Sequence, residues 1–167
     1  MEGLLQWAEA LQASGLGAVI SESALAFPII EGTHLIGLAL AVGLLFLVDL
    51  RMLGLLWRDI ALTEVLAALR GWILAGFALV FGSGLLLFWA EAPSVVASPA
   101  FPFKLLFIAL AGANAIWFEL RVAREPGFAV EAAALRPRVR RAGAASLALW
   151  TLVIICGRLI PYLPDWG

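Results

Sequence analysis

The chain has 167 residues, 63% of them hydrophobic and 14% charged, with a formal net charge of −1 and a mean hydropathy of +1.02. That balance excludes a disordered chain and argues against a water-soluble globule, which needs more polar surface than this sequence supplies. The small net charge offers no field to attract nucleic acid, the single cysteine (Cys156) excludes an intrachain disulfide, and the single histidine (His34) excludes a multi-histidine metal site within one chain.

Residues 1–26 carry Glu2, Glu9 and Glu22 and no Lys or Arg, so they lack the basic start of a cleavable secretory signal. Leu4, Trp7, Ala8 and Leu11 recur at helical spacing, with Glu2, Gln6, Glu9 and Gln12 largely off that face. The pattern predicts an amphipathic helix, lying in the membrane interface or packed on the bundle. Residues 14–17 break it, and Ser21, Ser23 and Pro28 mark the approach to the first span.

A spanning helix needs about 20 apolar residues. Four stretches qualify, at 27–48, 72–90, 103–120 and 144–163, with the first helix running on toward Trp57. Prolines bracket them at positions 28, 93, 99, 102, 126, 137, 161 and 164. The expected fold class is therefore an all-α integral membrane protein. Residues 27–167 form a four-transmembrane-helix bundle, and residues 1–26 precede it as an interfacial helical segment.

The basic residues set an orientation. Arg51, Arg58 and Arg70 fall between spans one and two, and Arg121, Arg124, Arg136, Arg138, Arg140 and Arg141 between spans three and four. Only Lys104 and Arg158 lie toward the other side. The positive-inside rule then places both basic loops in the cytoplasm and both termini in the periplasm of a bacterial inner membrane. Trp57 and Trp72 fall at the cytoplasmic edge and Trp89 and Trp166 at the outer edge, as an aromatic belt requires. Trp117 and Trp150 lie deeper and read as packing residues. The loop at 121–141 reads as a topology anchor, with binding of anionic lipid or a partner as the alternative.

Ionisable groups within spans are costly and are functional candidates by default. His34 lies roughly 10 Å from the outer end of the first span at 1.5 Å per residue, with Glu31 one turn before it on the same face. The fourth span runs the opposite way and brings Arg158 to a similar depth; Lys104 opens the third span. Topology thus gathers Glu31, His34, Lys104 and Arg158 in the outer third of the bundle. They form either a structural network, with Glu31 and Arg158 as an ion pair, or a ligand site. An imidazole here can be an axial haem ligand, with Arg158 and Lys104 facing the propionates. Gly37, with Gly32 and Gly43, admits either a flat macrocycle or a close helix neighbour. Toward the cytoplasmic side, Asp49, Arg51, Arg70, Glu119 and Arg121 read as helix-end ion pairs, and Asn114 as a bond across helices. Ser83, between Gly82 and Gly84, marks close packing in the second span.

The run Phe27-Pro28-Ile29-Ile30-Glu31-Gly32-Thr33-His34-Leu35-Ile36-Gly37, then Gly43 and Asp49-Leu50-Arg51-Met52-Leu53-Gly54, resembles a family of small uncharacterised bacterial four-span membrane proteins. Ser83-Gly84-Leu85-Leu86-Leu87-Phe88, Phe103-Lys104-Leu105, Asn114 and Gly157-Arg158-Leu159-Ile160-Pro161-Tyr162 extend the likeness along most of the chain. More distantly, the His-x-x-Gly start and the lysine opening the third span resemble the copper-resistance protein D and HemJ-type protoporphyrinogen oxidase families. The HemJ-type resemblance implies a four-helix bundle holding haem b through a helix histidine, which here is His34. The chain departs from those relatives at Leu40 and Ala41, where they often carry a tryptophan, and has no second histidine.

The leading expectation is a haem b-binding protein for electron transfer or sensing. His34 would be the iron ligand, Lys104 and Arg158 the propionate partners, and Glu31 a group tuning the imidazole; the protein would be a homo-oligomer rather than a stand-alone enzyme. The alternatives are an accessory subunit of a larger membrane complex, or an oligomeric proton or small-solute transporter lined by Glu31, His34 and Arg158.

Overall fold

Long apolar runs leave backbone N–H and C=O groups without water, and a helix satisfies them within one segment. The computed structural model of the protein describes residues 2–123 and 137–163. Arg124, Arg136 and Trp166, and much of the basic loop at 121–141, lie outside the described residues. Two helices come first, α1 (Glu2–Gln12) and α2 (Gly15–Glu22). Then follow α3 (Ala26–Met52), α4 (Leu62–Ala90), the short α5 (Ala92–Ala97), α6 (Ala100–Trp117) and α7 (Pro137–Leu159). A π-helical turn (Phe118–Val122) extends α6 and a 3₁₀ turn (Ile160–Tyr162) extends α7. No strand occurs among the described residues. α3, α4, α6 with its π turn and α7 with its 3₁₀ turn are long and apolar enough to cross a membrane. The protein is an all-α four-helix bundle of the membrane-spanning kind.

The helices match the four apolar stretches but not their ends. α4 starts ten residues before the expected 72, because the helix continues past its apolar segment through Glu64 and Arg70. α3 stops at Met52 rather than running toward Trp57. Gly54 and Trp57 take positive φ values of 73° and 48°, which turn the chain back toward α4. Two arginines close this turn. The Arg51 guanidinium donates to the Ile60 carbonyl from Nε and Nη2, at 2.9 and 2.6 Å, and Arg58 Nε donates to the Gly54 carbonyl. Pro28 and Pro102 sit in the first turns of α3 and α6, where their missing N–H has no intrahelical acceptor, and Pro137 opens α7.

The N-terminal segment is two helices rather than one. Ser14 Oγ donates to the Leu11 carbonyl at the break. Gly17 lets α2 fold under α1, since a Cβ there would sit 2.2 Å from the Gln12 carbonyl oxygen. Gln12 donates its side-chain N–H to the Ala90 carbonyl, Trp89 Nε1 donates to Ser14 Oγ at 2.9 Å, and Trp7 meets Phe88 at 6.4 Å between ring centroids. The hairpin is thus fastened to the end of α4. Leu4 and Trp7 remain 54% and 51% exposed, so α1 is both packed on the bundle and apolar on its free side.

α3 lies between α4 and α7, and α7 packs against α6. α4 reaches α6 through longer side chains: Phe88 stacks on Phe101 at 5.6 Å near the hairpin end, and Arg70 Nη2 meets Glu119 Oε1 at 2.6 Å near the opposite, turn end. Two apolar layers fill the interior. At the turn end, Val48, Met52, Leu62, Val65, Phe118, Val122, Val139 and Ala142 pack together. At mid-height, Trp150 fills the centre against Ala41, Val42, Ala111 and Val153, its ring 4.9 Å from that of Phe77.

Candidate functional site

The crossing of α3 and α4 is built on missing side chains. A Cβ on Gly76 would lie 2.6 Å from the Ala41 backbone nitrogen, and one on Gly37 would lie 2.9 Å from Leu79 Cβ and 3.1 Å from the Val80 nitrogen. Close approach of two backbones is what small residues provide in membrane helices. It brings Ser83 of α4 beside His34 of α3, at depths of roughly 10 and 12 Å from the ends of their helices.

His34 Nδ1 stands 3.0 Å from Ser83 Oγ. The serine hydroxyl has one proton, and it is directed back to the Leu79 carbonyl one turn earlier in α4. Ser83 Oγ therefore accepts, and His34 Nδ1–H donates. The network assigns the proton to Nδ1 and leaves the lone pair on Nε2, the arrangement a metal ligand or proton acceptor requires. Gly84 makes room for the ring: a Cβ there would be 3.1 Å from His34 Cε1.

Lys104 approaches the same region from α6. Its stem lies over Gly157 of α7, where a Cβ would be 3.3 Å from Nζ and 3.5 Å from Cε. Lys104 lies close enough to His34 for its charge to reach the ring, Cys156 of α7 lies near it, and Glu31 stands one turn from His34 on an exposed flank of α3. Four helices thus contribute: α3 with Glu31 and His34, α4 with Ser83 and Gly84, α6 with Lys104, and α7 with Cys156 and Gly157.

Arg158 does not join them. One residue along a helix is a 100° turn, so the neighbour of inward-facing Gly157 points away. Arg158 Nη2 donates to Tyr162 Oη at 3.2 Å, and its guanidinium lies 5.5 Å from the centre of that ring. Among the described residues Glu31 and Arg158 form no ion pair. Gly37 serves the α3–α4 contact, and that flank of α3 is filled. Gly32 and Gly43, by contrast, have nothing within 4 Å of a Cβ. Sequence reasoning marked Ser83 for packing only; its signal as a site residue is a lone hydroxyl between two glycines at the depth of the lone histidine.

The second polar group divides up. Arg70 pairs with Glu119, with side chains 61% and 44% exposed, a position where such pairs contribute about 1 kcal/mol or less. Arg51 holds the α3–α4 turn. Asn114 Nδ2 donates to the Ala142 carbonyl at 3.0 Å and ties α6 to α7. Asp49 meets Ser146 of α7. Among the described residues no three His, Cys, Asp or Glu side chains gather around a point where they could hold a metal ion.

No protein-family model matches the chain, and no curated protein or solved structure matches it significantly. Fold and site together define a class: an all-α protein with four potential membrane-crossing helices and one imidazole, oriented by a serine, between the first two of them.

Proposed function

We propose that the protein binds haem b through His34 Nε2, for electron transfer or sensing, and resides in a bacterial inner membrane with both termini periplasmic. The observation that carries this reading is the 3.0 Å contact of His34 Nδ1 with Ser83 Oγ, whose own proton is directed to the Leu79 carbonyl. Histidines that ligate metals almost always donate the other ring N–H to a fixed acceptor, which sets the tautomer and the ring plane. Here that acceptor is in turn fixed to the Leu79 carbonyl. The donor chemistry therefore fits a single imidazole that would hold the iron. Lys104 supplies a positive charge near it for a propionate, and Glu31 adds a negative charge one turn away. The distant resemblance of the His34 segment to HemJ-type proteins points the same way.

The cradle is another matter. α4 fills the Gly37 flank, so the bundle leaves no room for a macrocycle there, and a second copy would have to complete the cradle. This is our reason for a homo-oligomer, in which a second His34 is available. Bound haem would supply a reversible one-electron iron centre. The protein's own residues hold the imidazole in one tautomer, place a cation beside it, and keep water away with apolar helices. The orientation rests on the lopsided arginines: those at 51, 58 and 70 and, among the described residues, those at 121, 138, 140 and 141 flank the same end of the bundle.

Ser83→Ala tests the reading at the residue that orients the ligand. Its haem affinity, titrated by visible absorption, is expected to fall about 10- to 100-fold, with the imidazole still coordinating. Unchanged affinity would remove the main support for this site.

A further inference from the structure

α3 carries a second ionisable group inside the bundle, fifteen residues beyond His34 and about 22 Å along the helix axis. Asp49 is 1% exposed. It lies where α7 packs tightly on α3: a Cβ on Gly143 would sit 2.9 Å from Met52 Cβ and 3.1 Å from the Asp49 backbone oxygen. Buried Ser146, one turn further along α7, hydrogen-bonds the carboxyl. On the other side of the group, Oδ2 is buried and has no hydrogen-bond partner among the described residues.

A carboxylate in that position would hold charge on an oxygen that no donor reaches, away from water. The surrounding cations are engaged elsewhere or point outward. On α3 itself Arg51 is bound to the Ile60 carbonyl, and in the following turn Arg58 is bound to the Gly54 carbonyl, with Asp59 exposed. On α4, Arg70 is paired with Glu119 of the π turn, and Glu64 is exposed. Arg121 of the π turn is exposed, as are Arg140 and Arg141 of α7, and Arg138 lies two turns of α7 before Ser146. Ser146 meets the carboxyl.

We propose that Asp49 is a proton-binding site: its carboxyl carries a proton on Oδ2 inside the closed α3–α7 seam and releases it to water when the seam opens. The released proton passes to water and leaves a carboxylate that needs the donors water brings. Proton release and parting of the two helices are therefore one linked equilibrium, and raising the pH favours the open form. The proposal is independent of any ligand at His34.

The test is a pH titration by infrared difference spectroscopy of the protein in lipid bilayers, wild type against Asp49→Asn. The expected result is a carboxylic-acid C=O band that Asp49→Asn lacks. It should convert to carboxylate bands at alkaline pH, together with faster amide exchange around positions 49 and 143–146. If Asp49→Asn does not fold, 13C-labelled aspartate in the wild type assigns the band by its isotope shift, since Asp49 is the buried aspartate among the described residues. An acid band absent at every pH, or one that persists unchanged to alkaline pH, would overturn the proposal.

Discussion

Gly76→Val is expected to destabilise the protein by about 3 kcal/mol or more, read from its unfolding midpoint in mixed detergent micelles by circular dichroism. A Cβ at this position meets Ala41 backbone nitrogen at 2.6 Å and Ala41 Cα at 2.9 Å, neither of which can rotate aside. Overfilling a packed interior costs about 1–3 kcal/mol even where side chains can adjust. Here the whole α3–α4 crossing must widen, and the His34–Ser83 hydrogen bond must stretch with it. Gly82→Val is the control. A Cβ on Gly82 has nothing within 4 Å, so this variant should unfold with the wild type.

Trp150→Ala comes next in size. The ring is 9% exposed and fills the middle of the bundle against Phe77, Ala41, Val42, Ala111 and Val153. Truncating a buried Trp costs about 3–5 kcal/mol in water-soluble proteins. In a bilayer the separated helices face lipid rather than water, so the transfer share shrinks and the lost packing contacts remain. The loss should fall at the lower end of that range. The same unfolding assay checks it, and an unchanged midpoint would mean that Trp150 is not central to the packing.

The parts of this fold legible in the sequence are those governed by composition. Twenty-residue apolar runs can do little but cross a bilayer, so the four long helices followed directly. Their ends were harder. Glu64 and Arg70 look like loop residues to a hydropathy argument, yet a helix carries them past its apolar segment. The end of α3 depends on the positive φ at Gly54 and on two arginine-to-carbonyl bonds, which have no sequence pattern of their own.

The site was legible in depth but not in direction. Counting residues from the helix ends set His34 and Lys104 at one end of the bundle, where α3 and α6 carry them. The same count grouped Arg158 with them, although a 100° step turns it to Tyr162. Glycine shows the limit most clearly. Gly37, Gly76 and Gly143 seat neighbouring helices, Gly84 and Gly157 make room for His34 and Lys104, and Gly32, Gly43 and Gly82 meet nothing. Only the three-dimensional crossing separates these roles.

The central claim is that His34 presents Nε2 to haem iron. It is tested most directly by the visible spectrum of the purified protein, oxidised and dithionite-reduced, from cells supplied with haem precursor, beside that of His34→Ala. The account predicts a Soret band with α and β bands on reduction in the wild type, and their loss in a His34→Ala protein that remains helical. A folded wild type with haem available and no Soret band, or a His34→Ala variant that keeps the band, would contradict it.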